Sequence, residues 1–275
     1  MKFEKFEPVI DFSYSKGWDK FALDYEQLPF KNPVYTLTKK MIYKIIEKNI
    51  TLDATSKVLD IGCGTGNDFP FFLDKGVQII GIDMSAGMLN MAARNYSDPI
   101  KSGKVRLLQG RLEDFDEDSI SEKFDLIFSV SGGLSYIDNQ QLLRVFNMLK
   151  NLLNPGGKII SAHFNKFCFM ETFFYLLRWD FKLAGQRMKD RIKVKIKEKE
   201  MTMFLRSPKE LQNIFSGKFN FLKFYPLLAA TPPYQTGFRT SGPIIKIHYF
   251  IEKIILNFSL VSGIADQNVM VVSND

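Results

Sequence analysis

The sequence predicts an α/β fold, a mainly parallel sheet with helices on both faces. Three observations predict it. Short apolar strand-like runs alternate with helix-like segments between residues 57 and 164, which is the rhythm of βαβ units. A glycine-rich turn, Gly62-Cys63-Gly64-Thr65-Gly66, directly follows the first run. The second run ends on an acid, Asp83. At 275 residues the chain fits one core with an elaboration, and 45% apolar and 24% charged residues is ordinary globular composition.

Lys57–Ile61 is the first expected strand, followed by a helix over Asn67–Lys75 and a second strand over Val77–Ile82. Ser85–Tyr96 reads as a helix with Ser85 as its N-cap. Lys104–Gln109 and Phe124–Val130 are the third and fourth strands. Between Asp138 and Leu153, Leu142, Leu143, Phe146, Leu149, Leu152 and Leu153 recur at helical spacing, and Asn154-Pro-Gly-Gly157 stops that helix before a fifth strand over Lys158–Phe164. The rhythm then breaks. Phe167–Arg187 looks helical and strongly aromatic. Arg191–Lys197 alternates isoleucine or valine with lysine or arginine, as in a half-buried strand paired with Thr202–Arg206. Ser207-Pro-Lys-Glu210 begins a helix with a capping box. Phe219–Ala230 and Asn268–Ser273 are two late strands. The expected organisation is one domain over 1–275, with an insertion at 165–206 that caps one end of the sheet.

Several classes are disfavoured by composition. No 18-residue run lacks a charge, so a membrane span is not expected. The N-terminus has acids and no apolar core of a signal peptide. Cys63 and Cys168 stand 105 positions apart, which is neither a disulfide framework nor a metal spacing, so no metal is expected and a reducing cytoplasm is. The net charge of +7 is uneven: residues 165–275 hold 17 Lys/Arg against 9 Asp/Glu. A solvated lysine-rich strand face accounts for much of it, and an acidic partner, nucleic acid or a membrane surface are the competing readings.

The informative stretch is VLDIGCGTGNDFPFFLDKGVQIIGID, residues 58–83. Glycines at 62, 64 and 66 allow a sharp turn and let a ligand approach bare backbone. Asp83, 17 residues beyond Gly66, is placed to accept both hydroxyls of a ribose. A dinucleotide site needs GxGxxG, but the sixth position here is Asn67. Asp60, beside the turn, would repel a pyrophosphate and suit an ammonium group. Together these residues point to S-adenosylmethionine, a cationic nucleoside with an amino-acid tail.

With those residues in hand, the chain resembles the class I S-adenosylmethionine-dependent methyltransferases. VLDIGCGTG is similar to their first motif, GIDMSAGMLNMA to the following segment, FDLIFSVSGGLSYI to the fourth-strand segment and LNPGGKII to the fifth strand and its turn. The resemblance covers about residues 32–164 closely. It implies a Rossmann-like seven-stranded sheet of order 3-2-1-4-5-7-6 with the last strand antiparallel. It implies that Asp60, Gly62 and Gly64, with Cys63 in the same turn, face the methionine part of the cofactor. Asp83 would hold the ribose and Met84 would pack on the adenine. Leu108–Phe115 sits at the adenine loop, where Arg111 stands in the usual acidic position and the backbone of Leu112, or Glu113, would substitute. Ser129 and Val130 would end the fourth strand beside the sulfonium. The N-terminal segment, 1–31, would fold over the cofactor and bring in Tyr14, Trp18 and Tyr25.

Methyl transfer is an in-line displacement, so the protein mainly aligns the acceptor and excludes water, with a base where the acceptor starts protonated. His163, at the end of the fifth strand, and Tyr136, after the fourth, are the candidates for catalysis or substrate contact. An ordinary rim hydrogen bond is the plainer role for His163, and His248 reads as structural. The aromatic segment 167–181 either packs as the cap's own core or walls a small apolar or aromatic acceptor. Two other functions compete. One is nucleic-acid methylation using the basic second half, although Thr231-Pro-Pro-Tyr234 stands roughly 100 residues later than the tetrad such enzymes carry. The other is a non-catalytic cofactor-binding partner. Oligomeric state is not written in the sequence.

Overall fold

The computed structural model describes residues 15–115, 120–130, 132–233, 236–238 and 243–273. Tyr14 and Tyr234, and the side chain of Glu113, lie outside the described residues. The helices are α1 (Ser15–Glu26), α2 (Leu28–Lys31), α3 (Pro33–Asn49), α4 (Phe69–Leu73), α5 (Ala86–Asn95), α6 (Ser97–Lys101), α7 (Asn139–Asn151), α8 (Phe169–Leu176), α9 (Phe181–Ala184), α10 (Pro208–Phe215) and α11 (Pro243–Ile255). The strands are β1 (Lys57–Ile61), β2 (Gln78–Asp83), β3 (Val105–Gln109), β4 (Phe124–Ser129), β5 (Leu153–Phe164), β6 (Arg191–Ile196), β7 (Lys199–Phe204), β8 (Phe221–Leu227) and β9 (Gln267–Ser273).

Seven strands form one sheet in the order β3-β2-β1-β4-β5-β9-β8, and β6-β7 form a separate hairpin. With the hairpin set aside, this is the expected 3-2-1-4-5-7-6 order. Strands β1 to β5 are parallel, while β9 runs antiparallel to both β5 and β8. Because strand side chains alternate, each buried strand feeds two cores. Val58, Ile79 and Phe128 join one with α3 and α4, while Leu59, Ile80 and Ile127 join the other with α7 and α10.

The helix starts follow local chemistry. Ser85 Oγ accepts from the Met88 N–H, and Ser207 and Glu210 form the expected capping box. Asn32 Oδ1 accepts from Val34 and Tyr35 N–H groups ahead of Pro33.

Three elements differ from expectation. The helix expected at 67–75 shrinks to α4, because residues 62–68 are used in turns and Gly76 leaves the helical region at φ 75°. Asn154-Pro-Gly-Gly157 does not end before β5 but lies within it as an irregularity, since Leu153 already pairs with Phe124. A Cβ at Gly157 would sit 2.8 Å from the Asn154 carbonyl and 2.9 Å from that of Phe124, so the irregularity needs glycine. The aromatic helix expected at 167–187 breaks into α8 and α9 at Trp179, which has φ 59°, and Asp180 then caps the second piece through the Leu183 N–H. Arg191–Ile196 does pair antiparallel with Lys199–Phe204.

Candidate functional site

The turn after β1 is built on left-handed glycines, with φ 71° at Gly62, 57° at Gly64 and 80° at Gly66. Its backbone is fastened to the end of β2. Gly62 and Cys63 N–H groups donate to the Ile82 carbonyl, and the Gly64 N–H donates to Asp83 Oδ2 at 2.9 Å. At Gly64 a side chain would meet Tyr25 of α1, with its Cβ 3.0 Å from Tyr25 Cε1. The Cys63 side chain is buried in the core, where its sulfur would be 2.9 Å from a Cβ on Gly81. Only its backbone belongs to the turn. Burial pushes the Cys63 thiol well up, so it is no thiolate nucleophile.

Asp83 is half-buried, and its Oδ1 accepts from the Ser85 N–H at 2.8 Å. Burial pushes its carboxyl up to about 6, against the pull of the Ser85 and Gly64 N–H groups. Asp60 is 2% exposed, and its Oδ2 has no hydrogen-bond partner among the described residues. Burial, then the nearby Asp68, hold the Asp60 carboxyl well above the usual range, with Lys39 opposing. A buried carboxylate oxygen without a partner is costly, and a cationic ligand group would relieve it.

Three cavities meet here. One, of about 300 Å³, runs from Gly62, Asp83 and Met84 past Gly110, Arg111 and Leu112 to Met201, Thr202 and Phe204 of the hairpin. A second, of about 90 Å³, shares Gly62, Asp83, Met84, Gly133 and Tyr136 with the first and adds Gly64, Trp18, Tyr25 and Met88. A third, of about 920 Å³, begins at Trp18, Tyr25 and Tyr136 and extends beneath α8, α9 and β6. Tyr136 lines all three, and its ring meets Trp18 edge-on at 6.0 Å.

The sequence-derived site residues divide as follows. Gly62, Gly64, Asp83, Met84, Leu112, Tyr25 and Tyr136 line these cavities. Asp60, Ser129 and Val130 are buried and line none of the three cavities, with Ser129 Oγ donating to the Ile61 carbonyl at 3.0 Å. His163 is fully buried, not at an open rim, and lines none of the three. Its Nε2 is 2.9 Å from Ser161 Oγ, and its Nδ1 has no partner among the described residues. Burial, aided by the Arg206 charge, lowers the His163 pKa to about 3, so the ring is neutral and a poor proton acceptor. Thr231 bonds Glu252 and His248 and lines none of the three cavities.

Other residues were not singled out by sequence. Asp19 of α1 accepts from Ser85 Oγ at 2.6 Å and the Gly87 N–H at 2.8 Å, pinning α1 over the site. Arg206 donates to the carbonyls of Leu134 (3.0 Å) and Ile137 and to Asn139 Oδ1 (2.8 Å), clamping the loop that carries Tyr136. Both act across long sequence separations and leave no local pattern.

Comparison with known proteins finds methyltransferases. Residues 58–157 match the family model described as a methyltransferase domain. A malonyl-[acyl-carrier protein] O-methyltransferase of Paenibacillus sp. (strain JDR-2) is 29% identical over 139 residues, covering 50% of this chain and 49% of that protein. A probable cobalt-precorrin-6B C(15)-methyltransferase of Saccharolobus solfataricus is 27% identical over 127 residues, 45% of this chain and 60% of the relative. The chain thus spans about half of the curated relatives it matches. Among solved structures, an S-adenosylmethionine-dependent methyltransferase from Clostridium acetobutylicum superposes with TM-score 0.55 at 18% identity, covering 93% of this chain and 98% of its own. A DhpI–SAH complex superposes with TM-score 0.56 at 12% identity, covering 96% of each. At such identities the likeness is one of fold.

Proposed function

We propose that the chain, whose residues 58–157 match a methyltransferase domain, is a class I, S-adenosylmethionine-dependent methyltransferase that moves a methyl group to a small acceptor, apolar or aromatic, held in the 920 Å³ cavity. The observation that carries this reading is the junction at Tyr136 and Trp18. There the cavity over the glycine turn and a larger one walled by Phe21, Phe164 and Tyr175 share Trp18, Tyr25 and Tyr136 as lining. A nucleoside held on one side would face an aromatic acceptor on the other.

In this reading Asp83 accepts the ribose hydroxyls, its oxygens keeping a free lone pair beside each N–H they already accept. The orphaned Asp60 oxygen takes the amino-acid ammonium, and Gly62 and Gly64 admit the methionine chain. Met84 and Leu112 flank the adenine, and the Tyr25 ring closes over Gly64. The bound cofactor supplies an activated methyl on a sulfonium. The chain's own part is to orient the acceptor, keep water out with α1 and the β6–β7 hairpin, and hold acceptor polarity at the Tyr136 hydroxyl. His163 is left as a packed neutral group. Helix α1, through Trp18, Phe21 and Tyr25, and the insertion 165–206 serve as the two walls of the acceptor space.

Calorimetry with S-adenosylmethionine and its demethylated product tests the cofactor half. Asp83→Ala should weaken binding roughly 30- to 100-fold, the value of one or two charge-assisted hydrogen bonds. Unchanged affinity removes the ribose assignment. The pH dependence has a definite sign. A carboxyl raised to about 6 in the folded protein contributes stability present below its ordinary range and lost as pH rises through about 6. Ribose hydroxyls donate to the ionised form and favour it. Cofactor affinity should therefore fall as pH drops through about 6, with proton release on binding near that pH. Titrations in buffers of different ionisation enthalpy check this, and a flat heat across buffers at pH 6 contradicts it.

A further inference from the structure

Large apolar side chains on the surface are concentrated. Of the 17 that are exposed among the described residues, 15 fall in residues 169–188 and 244–264. α11 packs one apolar stripe, Ile245, Tyr249 and the following Leu256, against the main core and carries a second that faces outward. Glu252 is 2% exposed, receiving the Ala229 and Ala230 N–H groups and the Thr231 hydroxyl, while Ile247, Phe250, Ile254 and the following Phe258 are 48–64% exposed. In the other segment Leu177 is 65%, Trp179 80% and Phe181 65% exposed. Phe238 joins the two, its ring 6.2 Å from Phe174 of α8 and 5.7 Å from His248 of α11. A water-soluble helix that already buries one apolar stripe ordinarily shows a polar outer face, so the outward stripe of α11 is built to be covered.

The charges say by what. In both segments the acids are withdrawn: Glu171 and Glu252 are buried, and Asp180 is engaged by the Leu183 N–H. The exposed charges are cationic, namely Arg178, Lys182, Lys246 and Lys253. A second copy docking through the same face would bring like charges together. A protruding tryptophan, aliphatic and phenylalanine side chains, and lysines on the flank of the stripe match the chemistry of a lipid interface. We propose that the α8–α9 and α11 face docks onto an anionic lipid surface, with the apolar side chains entering the headgroup boundary and the lysines meeting lipid phosphates. No helix among the described residues is long and apolar enough to cross a membrane, so the attachment is interfacial. This inference does not depend on the methyl-transfer reading.

The test is co-sedimentation of the full chain with two kinds of vesicle, phosphatidylcholine alone and phosphatidylcholine mixed with phosphatidylglycerol. Binding is expected to the mixed vesicles, weakening as salt rises, with little to phosphatidylcholine alone. Lys246→Glu with Lys253→Glu should reduce partitioning roughly tenfold or more. Ile247→Ser with Phe250→Ser should do the same at low salt, where charge attraction remains. Both variants change exposed residues outside the three cavities, and should keep the thermal midpoint and the cofactor affinity of the parent. Three results overturn the proposal: no binding to the mixed vesicles, equal binding to both kinds, or a concentration-dependent dimer in sedimentation velocity that Ile247→Ser with Phe250→Ser abolishes while vesicle binding persists.

Discussion

Gly64→Val is expected to abolish measurable cofactor binding while leaving the sheet intact. Gly64 has φ 57°, where a β-branched residue is strained by about 1–2 kcal/mol. Its Cβ would stand 3.0 Å from Tyr25 Cε1 and 3.6 Å from Cδ1, so the branch methyls must displace that ring or occupy the space between ring and turn. That space is the 90 Å³ cavity bounded by Gly62, Asp83 and Trp18, and two methyl groups take a large share of it. The Gly64 N–H also fixes Asp83 Oδ2 at 2.9 Å, so any shift of residue 64 misplaces the ribose acceptor. Losing both the volume and the alignment should cost more than 100-fold in affinity, exceeding Asp83→Ala. Titration calorimetry reads the affinity, and circular dichroism melting separates it from unfolding. A variant binding within about tenfold of the parent would show that the cofactor does not lie along this turn. Gly103→Val is the control: it has a similar φ of 75° with nothing within 4 Å of the added Cβ, and it should cost stability without costing affinity.

The contrast between these glycines shows what was legible in the sequence. The turn declares itself because its geometry is local: glycines two apart after an apolar run, then an acid ending the next run. The alternating apolar runs indicated a mainly parallel sheet, and the strand order came from the family resemblance that the turn and its neighbouring motifs carry. What stayed hidden is decided by groups far apart in sequence. Asp19 pins α1 to Ser85 across 66 residues, and Arg206 holds the Tyr136 loop across 69 and more. His163 looked like a rim histidine because it nearly ends β5. Instead β9 pairs Asn268 opposite it, and the ring is fully buried within reach of the Arg206 charge. In α11 the helical period is plain, but of its two apolar stripes the one facing inward, Ile245, Tyr249 and the following Leu256, is the one beside Glu252, which finds the N–H groups of residues 229 and 230. No periodicity announces that pairing.

Lys39→Met carries the largest expected loss of stability. Lys39 is 8% exposed and Asp68 3%, with Nζ 2.6 Å from Oδ2, and the Tyr43 hydroxyl donates to the other oxygen at 2.8 Å. The carboxylate and the neighbouring phenols hold the Lys39 pKa well above its ordinary value, overcoming the desolvation that would lower it. A charge left behind in such a place costs about 3–5 kcal/mol, whereas removing both charges is often nearly neutral. Lys39→Met alone should thus lose several kcal/mol in urea denaturation. Lys39→Met with Asp68→Asn should recover most of it, since the amide oxygen that replaces the carboxylate would still accept from Tyr43. A loss under about 1 kcal/mol for the single variant would mean that water reaches the pair. The cycle bears on function as well. Lys39 is the cation that favours ionisation of Asp60, whose carboxyl burial otherwise drives toward the neutral form. Lys39→Met alone should bind cofactor more weakly than the parent at neutral pH, with a deficit that shrinks as pH rises and Asp60 ionises, while the double variant, which also loses the larger upward push of Asp68, should recover the affinity. A single variant whose affinity at neutral pH equals the parent's would place the cofactor ammonium on some group other than Asp60.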